Sequence, residues 1–285
     1  MTQICHTNNI VTMTNTASKI ILLGTGTPNA DPDRHGSAVV IEVYGRPYLF
    51  DFGPGVVRRA AAAGLAVADL KLAFLTHLHT DHTAGYPDLI FTPWVLERDA
   101  PLQVYGPPGL AAMTDHILAA YQQDIEQRLS GLEPANDQGY QVIAQEIEPG
   151  YLYQDDRVTI EPFRVQHGSW PAYGYRITAP DRVIVLSGDT VPFAGLAEQY
   201  RGCDVLIHEV YSVAGLPKRP PAWQAYHTQV HTSSHQLAEI ANQVRPKLLI
   251  LYHQLFWGTA EADLVAEVRE RYDGQVVSGK DLAVY

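Results

Sequence analysis

Short apolar runs separated by turn residues recur along the chain and predict β-strands. In the first half they cover residues 19–23, 38–43, 48–52 and 70–76. In the second half they cover 158–166, 173–178, 182–187, 204–208, 247–252, 275–277 and 282–285. Strands of this number need helices or a second sheet to cover their apolar faces.

Helices are predicted between these strands, over residues 54–63, 108–129, 234–244 and 260–272. Strands dominate, so the fold class is α/β. No Gly/Ser or Pro linker interrupts residues 19–285, which we expect to form one domain. Residues 211–230 carry three prolines and are predicted to be an irregular loop, of the kind that often forms a lid or a binding loop.

Composition places the chain among ordinary globular proteins, with 46% hydrophobic and 18% charged residues in 285. Its two cysteines, Cys5 and Cys203, cannot form a disulfide framework, so we expect a reduced, cytoplasmic setting. The polar residues 1–18 have no signal-peptide pattern and are interpreted as a flexible leader. No apolar run is long enough to span a membrane, and no membrane partner is expected.

Four metal-ligating side chains stand together directly after the apolar run that ends at Leu75. They are His77, His79, Asp81 and His82. Imidazole and carboxylate groups suit zinc and similar divalent ions. Six positions cannot easily place four ligands around one ion, so the segment favours two adjacent ions. The alternative is a polar surface turn that happens to be rich in histidine.

The segment His77-x-His79-x-Asp81-His82 resembles the signature of the metallo-β-lactamase superfamily. The rest of that pattern is matched, after further apolar runs, by Asp51, His167, Asp189 and His253. The resemblance covers about residues 19–285. It implies a four-layer αββα sandwich, with a metal site at one edge between the two sheets.

The resemblance also implies a dinuclear centre of two divalent ions, zinc first and Mn²⁺ or Fe²⁺ as alternatives. The implied ligands are His77, His79 and His167 for one ion, Asp81, His82 and His253 for the other, and Asp189 for both. Two cations lower the pKa of a bound water, which makes hydroxide available for attack on an ester near neutral pH. Asp81 is a further candidate to accept that proton. Asp51 is interpreted as orienting the ligands, or as a simple turn residue.

Two more motifs resemble the branch of the superfamily that contains ribonuclease Z and the arylsulfatases. His208-Glu209 stands where ribonuclease Z has His-Glu-Ala-Thr, and His231 stands where it has His-Ser-Thr. By this resemblance His231 protonates the leaving group and Glu209 orients or charges His231. An alkoxide leaving group needs such a general acid. The alternative is that His231 only begins a helix; His227 and His235 fall outside the motif.

Three departures argue against transfer RNA as a substrate. Bacterial ribonuclease Z carries a long RNA-binding arm between the ligands matched by His167 and Asp189, which here are only 22 residues apart (189 − 167). The loop at 27–36 lacks that family's Lys/Arg-Asn signature. The net charge is −11, from 20 basic and 31 acidic residues, which gives no surplus of positive charge for RNA. Nucleic acid is therefore predicted to be an unlikely partner.

The four tryptophans favour a smaller substrate, because each lies near a motif and together they predict an aromatic-walled pocket. They are Trp94, Trp170, Trp223 and Trp257. The main hypothesis is a metal-dependent hydrolase of a small-molecule ester, a phosphodiester or an aryl sulfate. The alternatives are transfer RNA 3′-end cleavage and a lactonase or carboxyl-ester hydrolase on the same metals. A homodimer is expected from the resembled relatives. A redox module is disfavoured because the flavodoxin-like extension of redox relatives is not found in this sequence, and a non-catalytic binding module is disfavoured because all seven ligands are present.

Overall fold

A computed structural model describes residues 17–285. Most of the predicted leader, residues 1–16, lies outside the described residues, and Cys5 with it. Ser18, which the leader was predicted to include, is instead the first residue of the first strand. That residues 19–285 form one domain stays a prediction.

Two β-sheets face each other at the centre of the molecule. The first has six neighbouring strands in chain order, β1 (Ser18–Gly24), β2 (Ala38–Val43), β3 (Arg46–Phe50), β4 (Leu72–Phe74), β5 (Leu102–Gly106) and β6 (Val142–Glu146). The second has the order β13-β12-β11-β10-β9-β8-β7. Its strands are β7 (Tyr153–Gln154), β8 (Thr159–Arg164), β9 (Tyr173–Thr178), β10 (Val183–Leu186), β11 (Val205–Tyr211), β12 (Leu248–Leu255) and β13 (Val276–Ser278).

Helices cover the outer face of each sheet. The helices of the described chain are α1 (Val56–Ala62), α2 (Thr80–Thr83), α3 (Tyr86–Val95), α4 (Leu110–Ala120), α5 (Gln122–Ser130), α6 (Leu196–Tyr200), α7 (Pro221–Val230), α8 (Ser234–Val244) and α9 (Glu261–Arg269). Helices α1, α3, α4 and α5 share a core with the first sheet, and α6, α8 and α9 with the second. The predicted αββα sandwich is confirmed. Across residues 17–285, none of the helices is long and apolar enough to cross a membrane.

The continuous apolar runs reflect burial on both faces of each sheet. In β1, Ile20 and Leu22 point into the core between the sheets, whereas Ile21 and Leu23 point into the core under the helices. Successive side chains of a strand alternate between its faces. Strands that are covered on both sides therefore read as apolar throughout rather than as alternating.

Three predicted segments differ from the structure. The strand predicted over 282–285 is only an isolated bridge, between Val284 and Ile21. The helix predicted over 108–129 is two helices, because the backbone leaves the helical conformation at Tyr121 (φ −103°, ψ 13°). The loop predicted over 211–230 contains α7. Pro221 is the first residue of α7, a position where proline is favoured because its nitrogen would have no partner in the helix. These prolines start a helix rather than prevent one.

A buried arginine completes α3. Pro93 lies inside this helix and has no N–H to donate to the carbonyl of Leu89. Arg98 is fully buried, and its Nη1 donates to that carbonyl at 3.0 Å. The same guanidinium also donates to the backbone carbonyls of Leu70 and Ile90. Burial lowers the pKa of Arg98 to about 10, so it remains charged at neutral pH.

Replacing Arg98 with Met should lower the free energy of unfolding by at least about 3 kcal/mol, because it leaves several buried carbonyls without a donor. Urea denaturation measures this loss. Arg58→Met removes an arginine whose side chain is 76% exposed, and should change stability by no more than about 0.5 kcal/mol. Equal unfolding midpoints for the two variants would contradict this account of α3.

Candidate metal centre and catalytic cleft

The seven predicted ligands come together at one edge of the sandwich, where strands from both sheets end. His77 and His79 follow β4, and Asp81 and His82 belong to α2. His167 follows β8, Asp189 follows β10, and His253 lies in β12. Residues that are up to 176 positions apart in the sequence therefore share one site (253 − 77). The motif from His77 to His82 supplies four of the seven predicted ligands, and the other three come from distant parts of the chain.

Contacts between the two sheets hold the loop that carries the first four ligands. Tyr175 of β9 donates its hydroxyl to the carbonyl of Leu75 at 2.7 Å, and the Tyr173 N–H donates to the carbonyl of Thr76 at 2.9 Å. A side chain at Gly53 would collide with the backbone oxygen of Asp81. The close approach of these backbones fixes the position of the segment that carries the first four ligands.

The first group of ligands has three imidazole nitrogens. His79 Nδ1 lies 3.0 Å from His77 Nε2 and 3.2 Å from His167 Nε2. Burial lowers the pKa of His77 and of His167, and it lowers that of His79 to about 4. All three rings are therefore neutral at pH 7, which is the form that binds a metal.

The second group lies beside the first and contains a carboxylate. Asp81 Oδ2 is 3.0 Å from His253 Nε2 and 3.6 Å from His82 Nε2. Burial opposes protonation of both rings, but the surrounding carboxylates raise the pKa of each. The negative charge of the site thus attracts protons here, and a bound cation would replace them.

Asp189 stands between the two groups. Its Oδ2 lies 3.9 Å from both His77 Nε2 and His167 Nε2, 3.7 Å from His82 Nε2 and 3.5 Å from His253 Nε2. The preceding Gly188 has φ 61°, a left-handed conformation that glycine adopts without strain. This turn places one carboxylate oxygen where it can serve both groups.

The donor atoms fit divalent metal ions. Ligand atoms about 2.1 Å from a tetrahedral zinc ion lie roughly 3.4 Å from one another, and the observed separations of 3.0–3.9 Å bracket that distance. Within residues 17–285, the buried His82 Nε2 has no hydrogen-bond partner. A buried polar atom without a partner is costly unless something else binds it.

Other groups fix the orientation of the ligand rings. Asp51 accepts hydrogen bonds from the N–H and hydroxyl of Thr76, at 2.8 and 3.0 Å, and pairs with His82 Nδ1 at 2.7 Å. The carbonyl of Val230 lies 2.8 Å from His167 Nδ1. In each ring this leaves Nε2 for the site. The interpretation of Asp51 as an orienting residue agrees with these contacts.

A β-bulge places His253. Along the β11–β12 pair, Glu209 is opposite Tyr252 and Val210 is opposite Gln254, so His253 is the extra residue. Its φ of 42° is unusual for any residue but glycine. Bulges re-aim side chains next to active sites, and this one turns a strand residue towards the metal site.

The two predicted acid–base residues lie next to each other beside the ligands. His231 Nδ1 is 3.4 Å from Glu209 Oε1, an oxygen that accepts hydrogen bonds from the N–H groups of Thr190 and Thr232. Burial lowers the pKa of His231 to about 4, whereas burial and the charge of Asp189 raise the pKa of Glu209 well above its usual range. His208 lies elsewhere, with its ring against the hydroxyl of Tyr200.

A cleft of about 260 Å³ opens over the metal site and has aromatic walls. Trp223, Tyr226 and Trp257 line it, together with His227 and His231. Trp170 instead packs on the His79 ring, with 4.6 Å between the ring centres, and Trp94 is buried in the core. His227 was not predicted. Its position one helical turn before His231 was the available signal, because residues i and i+4 share a face.

Comparison with known proteins agrees with this geometry. The family model described as "Beta-lactamase superfamily domain" matches residues 46–254, which include every predicted site residue. The chain belongs to the metallo-β-lactamase superfamily. It is a metal-dependent hydrolase of ester bonds in the ribonuclease Z-like branch, and the fold with its His/Asp cluster indicates binding of divalent metal.

Individual relatives place the chain more closely. A ribonuclease Z of Mycobacterium sp. (strain KMS) is 34% identical over 269 residues, covering 93% of this chain and 94% of the relative. The structure of human tRNase Z, short form, has a TM-score of 0.69 and 26% identity, and the match covers 94% of this chain and 98% of that one. The metallo-β-lactamase fold protein YhfI from Bacillus subtilis has a TM-score of 0.76 at 18% identity, with the same coverage, and shares the fold.

The prediction that nucleic acid is an unlikely partner and a small-molecule ester the substrate is wrong. It conflicts with the ribonuclease Z relatives. Strands β9 and β10 fill the interval between His167 and Asp189, as expected. A relative that is matched over 94% of its length, however, has little room for an additional arm. The net charge of −11 is a sum over the whole chain and does not describe the cleft.

Asp189→Ala should lose at least one of about two divalent ions per chain, because its carboxylate faces both groups of ligands. Elemental analysis of purified protein measures the ratio. Asp99→Ala, which removes an exposed carboxylate that pairs with Lys71, should keep the full content. Equal metal content in both variants would contradict a bridging Asp189.

Asp51→Asn should weaken metal binding about 10–100-fold, the usual cost of removing a group that orients a ligand. The asparagine keeps the size of the side chain but loses the charge that faces His82 Nδ1. Competition with a chelator of known affinity measures the change. Unaltered affinity, with the fold intact by circular dichroism, would mean that Asp51 only shapes the turn.

Proposed function

We propose that this protein is a ribonuclease Z-type endonuclease, which cleaves the 3′ trailer from transfer RNA precursors. The observation that carries the proposal is the His231–Glu209 pair beside a seven-ligand site. A site built only to hold metal would not need a further histidine, beyond the five among the ligands, paired with a fully buried glutamate. The ribonuclease Z relatives support RNA as the substrate.

The proposed ligands are the six residues of the two groups together with Asp189 between them, and the proposed ions are two zinc ions. Bound at these positions, the cations would polarise the scissile phosphate and activate water for attack. Asp189 would hold the two halves of the site together, since its Oδ2 lies within 4 Å of a nitrogen from each group. Asp51 would keep His82 in place.

Asp81 is proposed to accept the proton of the attacking water. Its carboxylate is buried and lines the cleft above the ligands. Burial acts against ionisation, but His82 and His253 hold the pKa of Asp81 below its usual range. The group is therefore ionised at neutral pH and able to take up a proton.

His231 is proposed to protonate the leaving oxygen. Desolvation favours the neutral forms of both groups, so at rest the carboxyl of Glu209 is protonated and the ring of His231 carries a single N–H. As negative charge develops on the leaving oxygen, His231 would give it the proton of Nε2 and take the carboxyl proton of Glu209 on Nδ1. The ring ends neutral, and Glu209 is left as a carboxylate that carries the negative charge.

The direct test uses a transcribed transfer RNA precursor with a 3′ trailer and the zinc-loaded protein. We expect a single cut at the start of the trailer, and none with Asp189→Ala. A mature transfer RNA without a trailer is the substrate control. Hydrolysis of bis(4-nitrophenyl) phosphate without any cleavage of the precursor would overturn the proposal.

His231→Ala should slow precursor cleavage on the order of 10²–10⁴-fold, but hydrolysis of bis(4-nitrophenyl) phosphate far less, because a nitrophenolate leaves without needing a proton. His235→Ala is the matched control, since this nearby histidine faces Glu270 at the surface. Metal content should be unchanged in both. Equal slowing of both substrates by His231→Ala would instead indicate a structural role.

A further inference from the structure

Four aromatic rings form a continuous wall on one side of the cleft. The ring of His227 is stacked on Trp223, with 5.6 Å between centres and 25° between planes, and lies 4.5 Å from Trp257. Tyr226 meets Trp223 edge to face at 5.7 Å. We refer to Trp223, Tyr226, His227 and Trp257 as the aromatic wall.

The wall is built to face the cleft rather than to fill the core. Trp223 is 48% exposed and Tyr226 is 40% exposed, whereas His227 behind them is buried. Trp257 has φ 45°, a conformation that costs a bulky residue energy and persists only where its surroundings impose it. Its indole packs on Tyr211, 5.6 Å away. Exposed aromatic rings that are held in place by buried neighbours are typical of a binding surface.

An arginine without a carboxylate partner stands beside the wall. Arg219 lies over the Trp223 ring, 5.5 Å from its centre, and also lines the cleft. Its Nε is buried and has no hydrogen-bond partner within the described part of the chain. Within the same residues, Arg219 makes no ion pair. A guanidinium in this state is suited to bind a phosphate.

The wall begins at the proposed general acid. The rings of His227 and His231 are 5.5 Å apart, and both lie on the side of the metal site formed by α7 and the residue after it. A group attached to the leaving oxygen, which His231 protonates, would extend along this wall. The surface is therefore next to the leaving side of the scissile bond.

We propose that the aromatic wall and Arg219 form a subsite for one unpaired nucleotide, with its base packed against the exposed parts of the Trp223 and Tyr226 rings and its phosphate on Arg219. This rests on the proposed function, since it names the part of the RNA that the cleft grips. Aromatic side chains bind bases of any sequence through their faces. The subsite thus selects a single-stranded nucleotide next to the cut without selecting its identity.

The test measures equilibrium binding to zinc-loaded protein by calorimetry. The probes are adenosine 5′-monophosphate, ribose 5-phosphate, which lacks the base, and adenosine, which lacks the phosphate. We expect the monophosphate to bind about 10-fold more tightly than ribose 5-phosphate, in the range found for stacking of a base on an aromatic ring. Trp223→Ala should remove this advantage and leave ribose 5-phosphate binding unchanged.

Arg219→Gln should weaken the binding of adenosine 5′-monophosphate and of ribose 5-phosphate, and leave the binding of adenosine unchanged. Lys218→Gln is the matched control for charge, because the neighbouring Lys218 donates to the carbonyl of Gly258 instead of facing the cleft. Tyr44→Ala is the aromatic control, with a ring that is 62% exposed at the β2–β3 turn. Neither control should alter the binding of the monophosphate.

Equal affinity for the monophosphate and ribose 5-phosphate, or equal effects of Lys218→Gln and Arg219→Gln, would overturn the subsite. Precursor cleavage at the normal rate by Trp223→Ala would also overturn it, while leaving the proposed function in place. Failure of the wild-type protein to cleave the precursor, with monophosphate binding as expected, would overturn the proposed function and leave the nucleotide subsite.

Discussion

The position of one carboxylate oxygen constrains this whole active site. Asp189 Oδ2 is buried within 4 Å of nitrogens from four histidines, which come from three separate parts of the chain. Buried charge is costly unless it is paired or binds a metal. The two sheets and α2 must therefore meet at a fixed distance. A small shift would separate the carboxylate from the histidine nitrogens around it and leave its negative charge uncompensated.

The backbone around the site departs from regular structure where this geometry demands it. Asp51 and His253 both have positive φ, 59° and 42°, although neither is glycine. Such conformations persist only where the surrounding structure holds them. Here the supporting structure is the buried core between the sheets, together with the hydrogen bonds of Asp51 to Thr76. Rigid strands thus support the strained residues that present the ligands.

Helix α7 connects the metal site to the cleft. The carbonyl of Val230, its last residue, holds His167, while the next residue is His231. Its outer turns carry Trp223, Tyr226 and His227. One short element therefore orients a ligand, places the proposed general acid and supplies much of the wall that substrate meets. A substrate that moves α7 would therefore also shift His167 and His231.

The sequence alone determined the fold class and pointed to the seven candidate ligands that the fold brings together, because apolar runs and closely spaced histidines are local signals. The segment from His77 to His82 carried the family signature within six residues. Tertiary structure decided what no local signal contains: that Arg98 replaces the donor missing at Pro93, that prolines begin α7, and that His227 enters the cleft. The expectation about nucleic acid failed for the same reason. Net charge and an interval between two residues describe the chain, whereas recognition depends on which side chains folding brings to one surface.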